Sequence, residues 1–108
     1  MLKVEITSVE QWDEAIASGR VIIEVYANWC PDCKRIEPTL PEWEKTYAST
    51  FRLLRCNRDE VPDIAERYDV MGIPSFLVFE EGELRGRLLS RDAKSVKQVA
   101  DFLAKQYK

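Results

Sequence analysis

The sequence predicts an α/β fold in which helices cover both faces of one mixed central sheet. Strand-like and helix-like patterns follow one another in the order βαβαβαββα. Alternating βα units favour parallel pairing, and the two consecutive strands near the end favour an antiparallel edge on the same sheet. Residues 21–27 form a nearly unbroken apolar run, which is typical of a central strand buried on both faces. The length of 108 residues predicts a single domain spanning residues 1–108.

The first two elements have clear boundary signals. Residues 2–7 alternate apolar and polar side chains, as expected for a half-buried strand. Ser8 is a predicted N-cap for a helix whose apolar spacing continues to Ile16, and Gly19 is expected to end that helix.

A second helix is predicted to begin at Cys30, directly after the buried strand. Its apolar stripe has a period close to 3.6 and consists of Cys33, Ile36, Leu40, Trp43 and Tyr47. We expect Pro38 and Pro41 to bend this helix.

The rest of the chain completes the predicted order of elements. It comprises a strand over 51–56, a short helix over 61–68 with Pro62 in its first turn, and a hairpin of strands 75–80 and 83–89 around Glu81-Gly82. Ser90 or Asp92 is predicted to cap a final helix. That helix carries Val96, Val99, Ala100 and Leu103 on one face.

Composition excludes several classes of function. The 16 basic and 19 acidic residues give a net charge of −3, which is not the basic footprint of a nucleic-acid binder. No apolar run approaches the roughly 20 residues of a membrane helix. The first five residues lack a signal-peptide pattern, because an acid stands where the apolar region would be. We therefore expect a cytoplasmic protein that binds neither nucleic acid nor membrane. A monomer is expected as well, although composition does not bear on the oligomeric state.

The pair Cys30 and Cys33 is the most informative feature of the sequence. Cys30 is predicted at the helix N-cap with Pro31 at the first helical position, where a missing N–H costs nothing. The first-turn N–H groups and the helix dipole then favour the Cys30 thiolate. Cys33 lies one turn later on the same face, within reach of a disulfide. We predict that Cys30 is an exposed nucleophile and that Cys33 is a buried thiol that resolves the mixed disulfide with a substrate.

A zinc half-site and a stapling disulfide are the alternatives for this pair. A structural zinc ion needs about four ligands, and the chain offers only Cys56 besides the pair and no histidine. A bridge across one helical turn closes too small a loop to stabilise much. The lack of histidine also excludes Ser–His–Asp and Cys–His catalysis. Thiol exchange needs no bound cofactor or metal, and redox chemistry is the favoured interpretation.

Two acidic residues near the pair are candidates for tuning it. Glu24 interrupts the buried strand, and burial would raise its pKa and make it a proton acceptor for Cys33. The alternatives for Glu24 are a wet strand face or an ion pair with a neighbouring Lys or Arg. Asp32 suits the first helical turn, but its charge is expected to oppose the Cys30 thiolate and make the pair more reducing. Simple helix capping is the alternative for Asp32.

The whole chain, from about Leu2 to Lys108, resembles the thioredoxin family. Four features carry the resemblance: the motif Trp29-Cys30-Pro31-Asp32-Cys33-Lys34, the loop Ile73-Pro74-Ser75, the helix proline Pro38 and the hairpin glycine Gly82. The resemblance implies a thioredoxin-like fold and a protein disulfide reductase that acts by thiol–disulfide exchange. It also implies disulfide-containing client proteins, and a thioredoxin reductase or a low-molecular-weight thiol as electron donor.

The resemblance assigns further roles residue by residue. Glu24 falls on the position of the family's buried Asp proton acceptor, and Arg55 falls where a Lys usually partners that acid. Pro74 is implied to follow a cis peptide and face the disulfide. The backbone of Ile73 would pair with an extended client segment, and Trp29 would shield the cysteine pair and shape the contact surface.

The chain also departs from the family pattern. It has Pro31-Asp32 between the cysteines where most thioredoxins have Gly-Pro, and Ser90-Arg91 where they have a glycine facing the docking surface. Cys56 matches no family redox position and is predicted to be a core residue, with an extra regulatory thiol as the alternative. A disulfide isomerase or oxidase, and a binding module with incidental cysteines, are the competing functions.

Overall fold

The computed structural model describes residues 4–106. Its strands are β1 (Glu5–Ile6), β2 (Arg20–Tyr26), β3 (Arg52–Asn57), β4 (Ser75–Glu80) and β5 (Glu83–Leu88). Its α-helices are α1 (Val9–Ile16), α2 (Pro31–Ile36), α3 (Leu40–Thr46), α4 (Pro62–Arg67) and α5 (Val96–Gln106), with 3-10 turns at Glu37–Thr39 and Ser90–Asp92. This order confirms the predicted βαβαβαββα arrangement.

The five strands form one mixed sheet in the order β1-β3-β2-β4-β5. β3 pairs in parallel with both β1 and β2, whereas β4 pairs antiparallel with β2 and β5. The β4–β5 hairpin turns at Glu81 and Gly82, whose φ values of 50° and 86° suit a two-residue turn. The predicted antiparallel edge is therefore confirmed.

The central strand β2 separates two hydrophobic cores. Successive side chains of a strand point to opposite faces of the sheet. Val21, Ile23 and Val25 pack on one face with Trp12, Ile16 and Ile64 of α1 and α4. Ile22 packs on the other face with Ile36, Leu40 and Trp43 of α2 and α3 and with Val99 and Leu103 of α5. Glu24 shares the parity of Ile22, and it therefore lies on the face covered by α2.

The boundaries of the first strand and helix differ in detail from the predictions. β1 is short, and Val4 is 47% exposed although the alternating pattern predicted it to be buried. Leu2 and Lys3, the predicted start of this strand, lie outside the described residues. Ser8 caps α1 as predicted, because its hydroxyl accepts a hydrogen bond from the Gln11 N–H. The helix ends at Ile16, and Gly19, with φ of 70°, turns the chain into β2.

The second helix is interrupted where a bend was predicted. α2 ends at Ile36, and a 3-10 turn that contains Pro38 separates it from α3. Proline lacks a backbone N–H and clashes with the preceding turn, which explains the break. The predicted stripe is otherwise confirmed, since Cys33, Ile36, Leu40 and Trp43 are buried and Tyr47 packs at the margin.

The predicted cap of the final helix is wrong. Ser90 and Asp92 belong to a separate 3-10 turn, and α5 begins after Ser95. The Gln98 N–H donates to Ser95 Oγ, and the Ser95 N–H donates to Gln98 Oε1, both at 3.2 Å. This reciprocal pair is a capping box, which satisfies two free donors and fixes the helix start. Val96, the first residue of α5, shares the face of Val99 and Leu103 by spacing but is 36% exposed.

Candidate active site

Cys30 lies at the N-cap of α2, just beyond the carboxyl end of β2. Its Sγ accepts a hydrogen bond from the Cys33 N–H at 3.1 Å, and Pro31 occupies the first helical position. The first turn of the helix therefore points an N–H group and the positive end of its dipole at this sulfur. These two features would stabilise negative charge that develops on the sulfur during thiol exchange. All three cysteines are free thiols.

The prediction that Cys30 is exposed is wrong, because only 3% of the residue is accessible to solvent. It packs in a small cluster with Tyr26, Ala27 and Cys33, and Ile73 lies against this cluster. The Cys30 thiol donates a hydrogen bond to the Ile73 carbonyl at 3.6 Å. Access to the sulfur therefore depends on the loop that carries Ile73.

Cys33 is buried, as predicted. Burial raises the pKa of its thiol far above the ordinary value, and the hydrogen bond with Cys30 adds to the shift. The nearby charge of Glu24 raises the pKa of Cys33 further. Cys33 therefore holds its proton firmly in the reduced protein, and a base is needed before this sulfur can attack.

Glu24 is fully buried, and it is paired with Arg55 across β2 and β3. Arg55 Nε donates to Glu24 Oε1 at 2.8 Å, while Glu24 Oε2 has no hydrogen-bond partner among residues 4–106. Burial raises the pKa of Glu24 to about 7, and the charge and hydrogen bond of Arg55 oppose this rise. Of the two alternatives for Glu24, the wet strand face is wrong and the ion pair is confirmed.

The network around Arg55 includes three residues that sequence reasoning missed: Glu37, Tyr26 and Glu5. Arg55 Nη1 donates to Glu37 Oε2 at 3.0 Å, and the guanidinium lies 3.6 Å from the ring centroid of Tyr26. The Tyr26 hydroxyl donates to Glu5 Oε2 at 2.7 Å. A cleft of about 260 Å³ beside this network is lined by Tyr26, Ala27, Asn28, Cys33, Lys34, Glu37 and Arg55.

Asp32 does not face the cysteines as an isolated charge. Its carboxylate forms an ion pair with Arg35, and Lys94 Nζ lies 3.5 Å from Asp32 Oδ2. Arg35 Nη1 also donates to the Lys94 carbonyl at 2.7 Å, which ties α2 to the segment before α5. The hydrogen bond from Arg35 holds the pKa of Asp32 below its ordinary value. Two cations therefore balance the charge that was predicted to oppose Cys30.

The loop before β4 has the backbone that the resemblance implied. The peptide bond between Ile73 and Pro74 is cis. The Ser75 hydroxyl donates to the Gly72 carbonyl at 2.7 Å. A Cβ placed on Gly72 would lie 2.3 Å from Ser90 Oγ, so Ser90 packs tightly against this loop.

Trp29 and Cys56 occupy contrasting environments. Trp29 is 63% exposed, and its Nε1–H donates to Asp59 Oδ2 at 2.8 Å. Cys56 is fully buried in the same core as Leu54, which confirms the prediction of a core residue, and burial raises its pKa to about 12. Its strand parity places it on the opposite face of the sheet from Glu24.

Different signals could have located the missed residues. Glu37 follows Cys33 by four residues, a spacing that brings helical side chains together, and Tyr26 follows Glu24 by two on the same strand. Lys94 and Asp59 come from distant segments and have no local signal. In the part of the chain that the structure describes, no helix is long and apolar enough to cross a membrane.

Comparisons of the sequence and of the structure with known proteins all match thioredoxins. The family model described as Thioredoxin matches residues 3–105. Thioredoxin of Pseudomonas aeruginosa is 34% identical over 103 residues, which cover 95% of this chain and 93% of that protein. Thioredoxin-2 of Pyricularia oryzae is 33% identical over 79 residues, which cover 72% of this chain and 46% of that protein. The chain thus spans about half the length of some curated relatives that it matches.

A solved structure of Plasmodium falciparum thioredoxin has the same fold. The two structures superpose with a TM-score of 0.86 at 28% sequence identity. The match covers 94% of this chain and 97% of the other. The predicted mixed sheet with helices on both faces is thus the fold of a solved thioredoxin.

Proposed function

The chain belongs to the thioredoxin family, and from this premise we propose that it is a protein disulfide reductase acting through Cys30 and Cys33. The observation that carries the proposal is the hydrogen bond of 3.1 Å from the Cys33 N–H to Cys30 Sγ at the start of α2. Donors aimed at this sulfur stabilise it as a thiolate, the form that attacks disulfides.

The proposed reaction is a two-step thiol exchange. The Cys30 thiolate attacks one sulfur of a client disulfide, forming a mixed disulfide and expelling the other sulfur as a thiolate. Cys33 then passes its proton to Glu24 and attacks Cys30 Sγ. A Cys30–Cys33 disulfide forms, and the second client sulfur leaves. The client gains two electrons, and the protein loses two.

The loop geometry supports the substrate-binding roles that we propose. The Ile73 carbonyl already lies within hydrogen-bond distance of Cys30 Sγ. We assign the Ile73 backbone and Pro74 to binding an extended client segment, which would add a short backbone pairing beside the sulfur. Trp29, held by Asp59, would form the exposed edge of this surface. Asp32 and Arg55 would modulate the proton affinities of Cys30 and Glu24.

Members of this family act on disulfide-bearing clients and are reduced by thioredoxin reductase. For this chain we propose a thioredoxin reductase or a low-molecular-weight thiol as donor, and the cytoplasm as location, since reducing compartments keep such a dithiol reduced. Ser90 and Arg91 stand where thioredoxins usually have a glycine on the docking surface, and these larger polar side chains would oppose docking to a standard thioredoxin reductase. An oxidase or an isomerase is less favoured, because such activities belong to oxidising compartments. An adaptor with incidental cysteines is less favoured, because the two thiols lie one helical turn apart, within reach of a disulfide.

A trapping experiment tests the proposal. Cys33→Ser removes the resolving thiol, and we expect it to accumulate a mixed disulfide between Cys30 and insulin, visible on non-reducing gels. Cys30→Ser is the matched control and should trap nothing. The unmodified protein should accelerate insulin reduction by dithiothreitol. No adduct with Cys33→Ser, together with a rate equal to dithiothreitol alone, would exclude the reductase function.

A further inference from the structure

We propose that Glu37 is a positioning residue that, through Arg55, sets the pH range in which Glu24 exchanges a proton with Cys33. The inference rests on the proposed role of Glu24 as the proton acceptor. It concerns a residue outside the cysteine motif, located in the 3-10 turn after α2.

Arg55 bridges two carboxylates of very different exposure. Its side chain is 5% exposed, with Nε 2.8 Å from Glu24 Oε1 and Nη1 3.0 Å from Glu37 Oε2. The Glu24 side chain is fully buried, whereas half of the Glu37 side chain is exposed. One guanidinium thus divides its donors and its charge between a buried acid and a solvent-facing acid.

Arg55 has little freedom to move away from this bridge. Its guanidinium stacks on the ring of Tyr26, and the Tyr26 hydroxyl is held in turn by Glu5. The cation is therefore fixed by a ring on one side and by Glu24 and Glu37 on the others. A change at Glu37 would alter the charge felt by Glu24 without removing Arg55 from its place.

The charged and titratable groups around Glu24 come from several elements. Arg55 on β3 favours its ionised form, whereas Glu37 in the turn after α2 and Glu5 on β1 oppose it. Cys33 on α2 interacts with the same charge. β4 contributes only the apolar Phe76 in register with Glu24. Glu37 is therefore one of two acids that favour a protonated Glu24.

The cleft connects this network to the resolving thiol. Cys33, Glu37 and Arg55 all line the same space of about 260 Å³. Glu24 itself is buried behind this cleft, but its partner Arg55 and the proton donor Cys33 both line it. Glu37 therefore lines the cleft beside Cys33 and also accepts a hydrogen bond from Arg55.

A single-turnover assay tests the inference. A thionitrobenzoate disulfide is formed on Cys30, and its release by Cys33 is followed by absorbance from pH 4 to 9. We expect the rate to rise with a midpoint near the Glu24 pKa of about 7. Glu37→Gln removes one opposing charge and leaves Arg55 to Glu24 alone, so the midpoint should fall by roughly half a pH unit or more. Glu42→Gln, an exposed acid on α3, is the matched control and should leave the midpoint unchanged.

An NMR titration of the Glu24 side-chain carboxyl in the reduced protein gives a readout independent of turnover. The midpoint of this titration should also fall in Glu37→Gln. In Glu37→Asp, which keeps the charge, the midpoint should stay closer to that of the original protein. The Glu24→Gln variant separates the role of Glu24 as proton acceptor from the inference about Glu37. If it leaves the rise in rate near pH 7 intact, the role of Glu24 fails. If it removes that rise while Glu37→Gln shifts neither midpoint, only the inference about Glu37 is overturned.

Discussion

The charge environment of single side chains decides how the two sulfurs differ. Cys30 receives an N–H from the helix start, whereas Cys33 lies one turn further along α2 and is held protonated by its burial. Asp32, between them, is bound by Arg35 and Lys94. Because exposed ion pairs are weak and screened, these cations reduce the effect of Asp32 on Cys30 without abolishing it.

Asp32→Asn should therefore make the reduction potential of the dithiol less negative, by roughly 10–30 mV. Removing a negative charge beside Cys30 stabilises its thiolate, and a more stable reduced form makes a stronger oxidant. Arg35→Gln should shift the potential in the opposite direction, since it removes a compensating cation. Redox titration against glutathione measures both changes, and a more negative potential in Asp32→Asn would contradict the electrostatic argument.

The residues of the site differ in how far the sequence alone could identify them. Cys30 and Cys33 were identified by spacing and helix position, and Glu24 by being a carboxylate within an apolar strand. Arg55 came from the family resemblance alone, because strand register is a long-range property. The exposure of Cys30 was mispredicted, since its burial depends on Ile73, a residue 43 positions away that the fold brings over the sulfur.

At the scale of elements, the loop before β4 packs closely against the 3-10 turn at Ser90–Asp92. Gly72 lies so close to Ser90 that an added Cβ would meet Ser90 Oγ at 2.3 Å and Ser90 Cβ at 3.2 Å. The 3-10 turn at Ser90–Asp92 therefore supports the loop that carries the cis peptide. The unusual serine at this position thus has a packing role in addition to any effect on docking.

We expect Gly72→Ala to destabilise the protein by about 1–3 kcal/mol through overpacking and to slow insulin reduction, because the loop beside Cys30 must shift. Gly86→Ala on β5 is the control, since a Cβ there meets nothing within 4 Å. Adding Ser90→Gly to Gly72→Ala should restore most of both losses. Urea unfolding and the insulin assay measure the effects, and equal tolerance of the two alanine variants would refute the packing argument.

The elements themselves were largely predictable, because helix and strand periodicity is a local property. The strand over 75–80 was predicted with the bounds that the structure shows, and the hairpin turn followed from Glu81-Gly82. The start of α5 was not predicted, because Ser90, Asp92 and Ser95 are all good caps. Only the pairing of Ser95 with Gln98 selects the last of them, and that spacing is itself a capping-box signature.

The whole molecule carries a buried acid in the centre of its sheet. Two hydrophobic cores surround β2, and the strand is buried from Val21 to Tyr26. Glu24 stands in that strand with one oxygen lacking a hydrogen-bond partner in the described part of the chain. Burial that suits Glu24 to proton transfer near neutral pH also makes its ionisation unfavourable for folding.

This linkage predicts how the stability of the whole fold depends on pH. The folded-state pKa of Glu24 is about 7, above its ordinary value of 4.5. Between these values the folded state holds more protons than the unfolded state, so the free energy of unfolding falls as pH rises. The contribution of Glu24 is fully present below pH 4.5 and is lost by about pH 7, a change of about 3 kcal/mol.

Chemical denaturation of the protein and of Glu24→Gln at several pH values between 4 and 8 isolates this contribution, since other titrating groups are common to both. The advantage of the original protein over Glu24→Gln should shrink steadily with rising pH across this interval, because glutamine has no proton to lose. Glu42→Gln should show no such pH-dependent difference. A difference between the original protein and Glu24→Gln that is constant with pH, or that grows in favour of the original protein above pH 5, would contradict this prediction. It would mean that the folded-state pKa of Glu24 is not raised above its ordinary value, which would leave its carboxylate a weak base for the Cys33 proton near neutral pH.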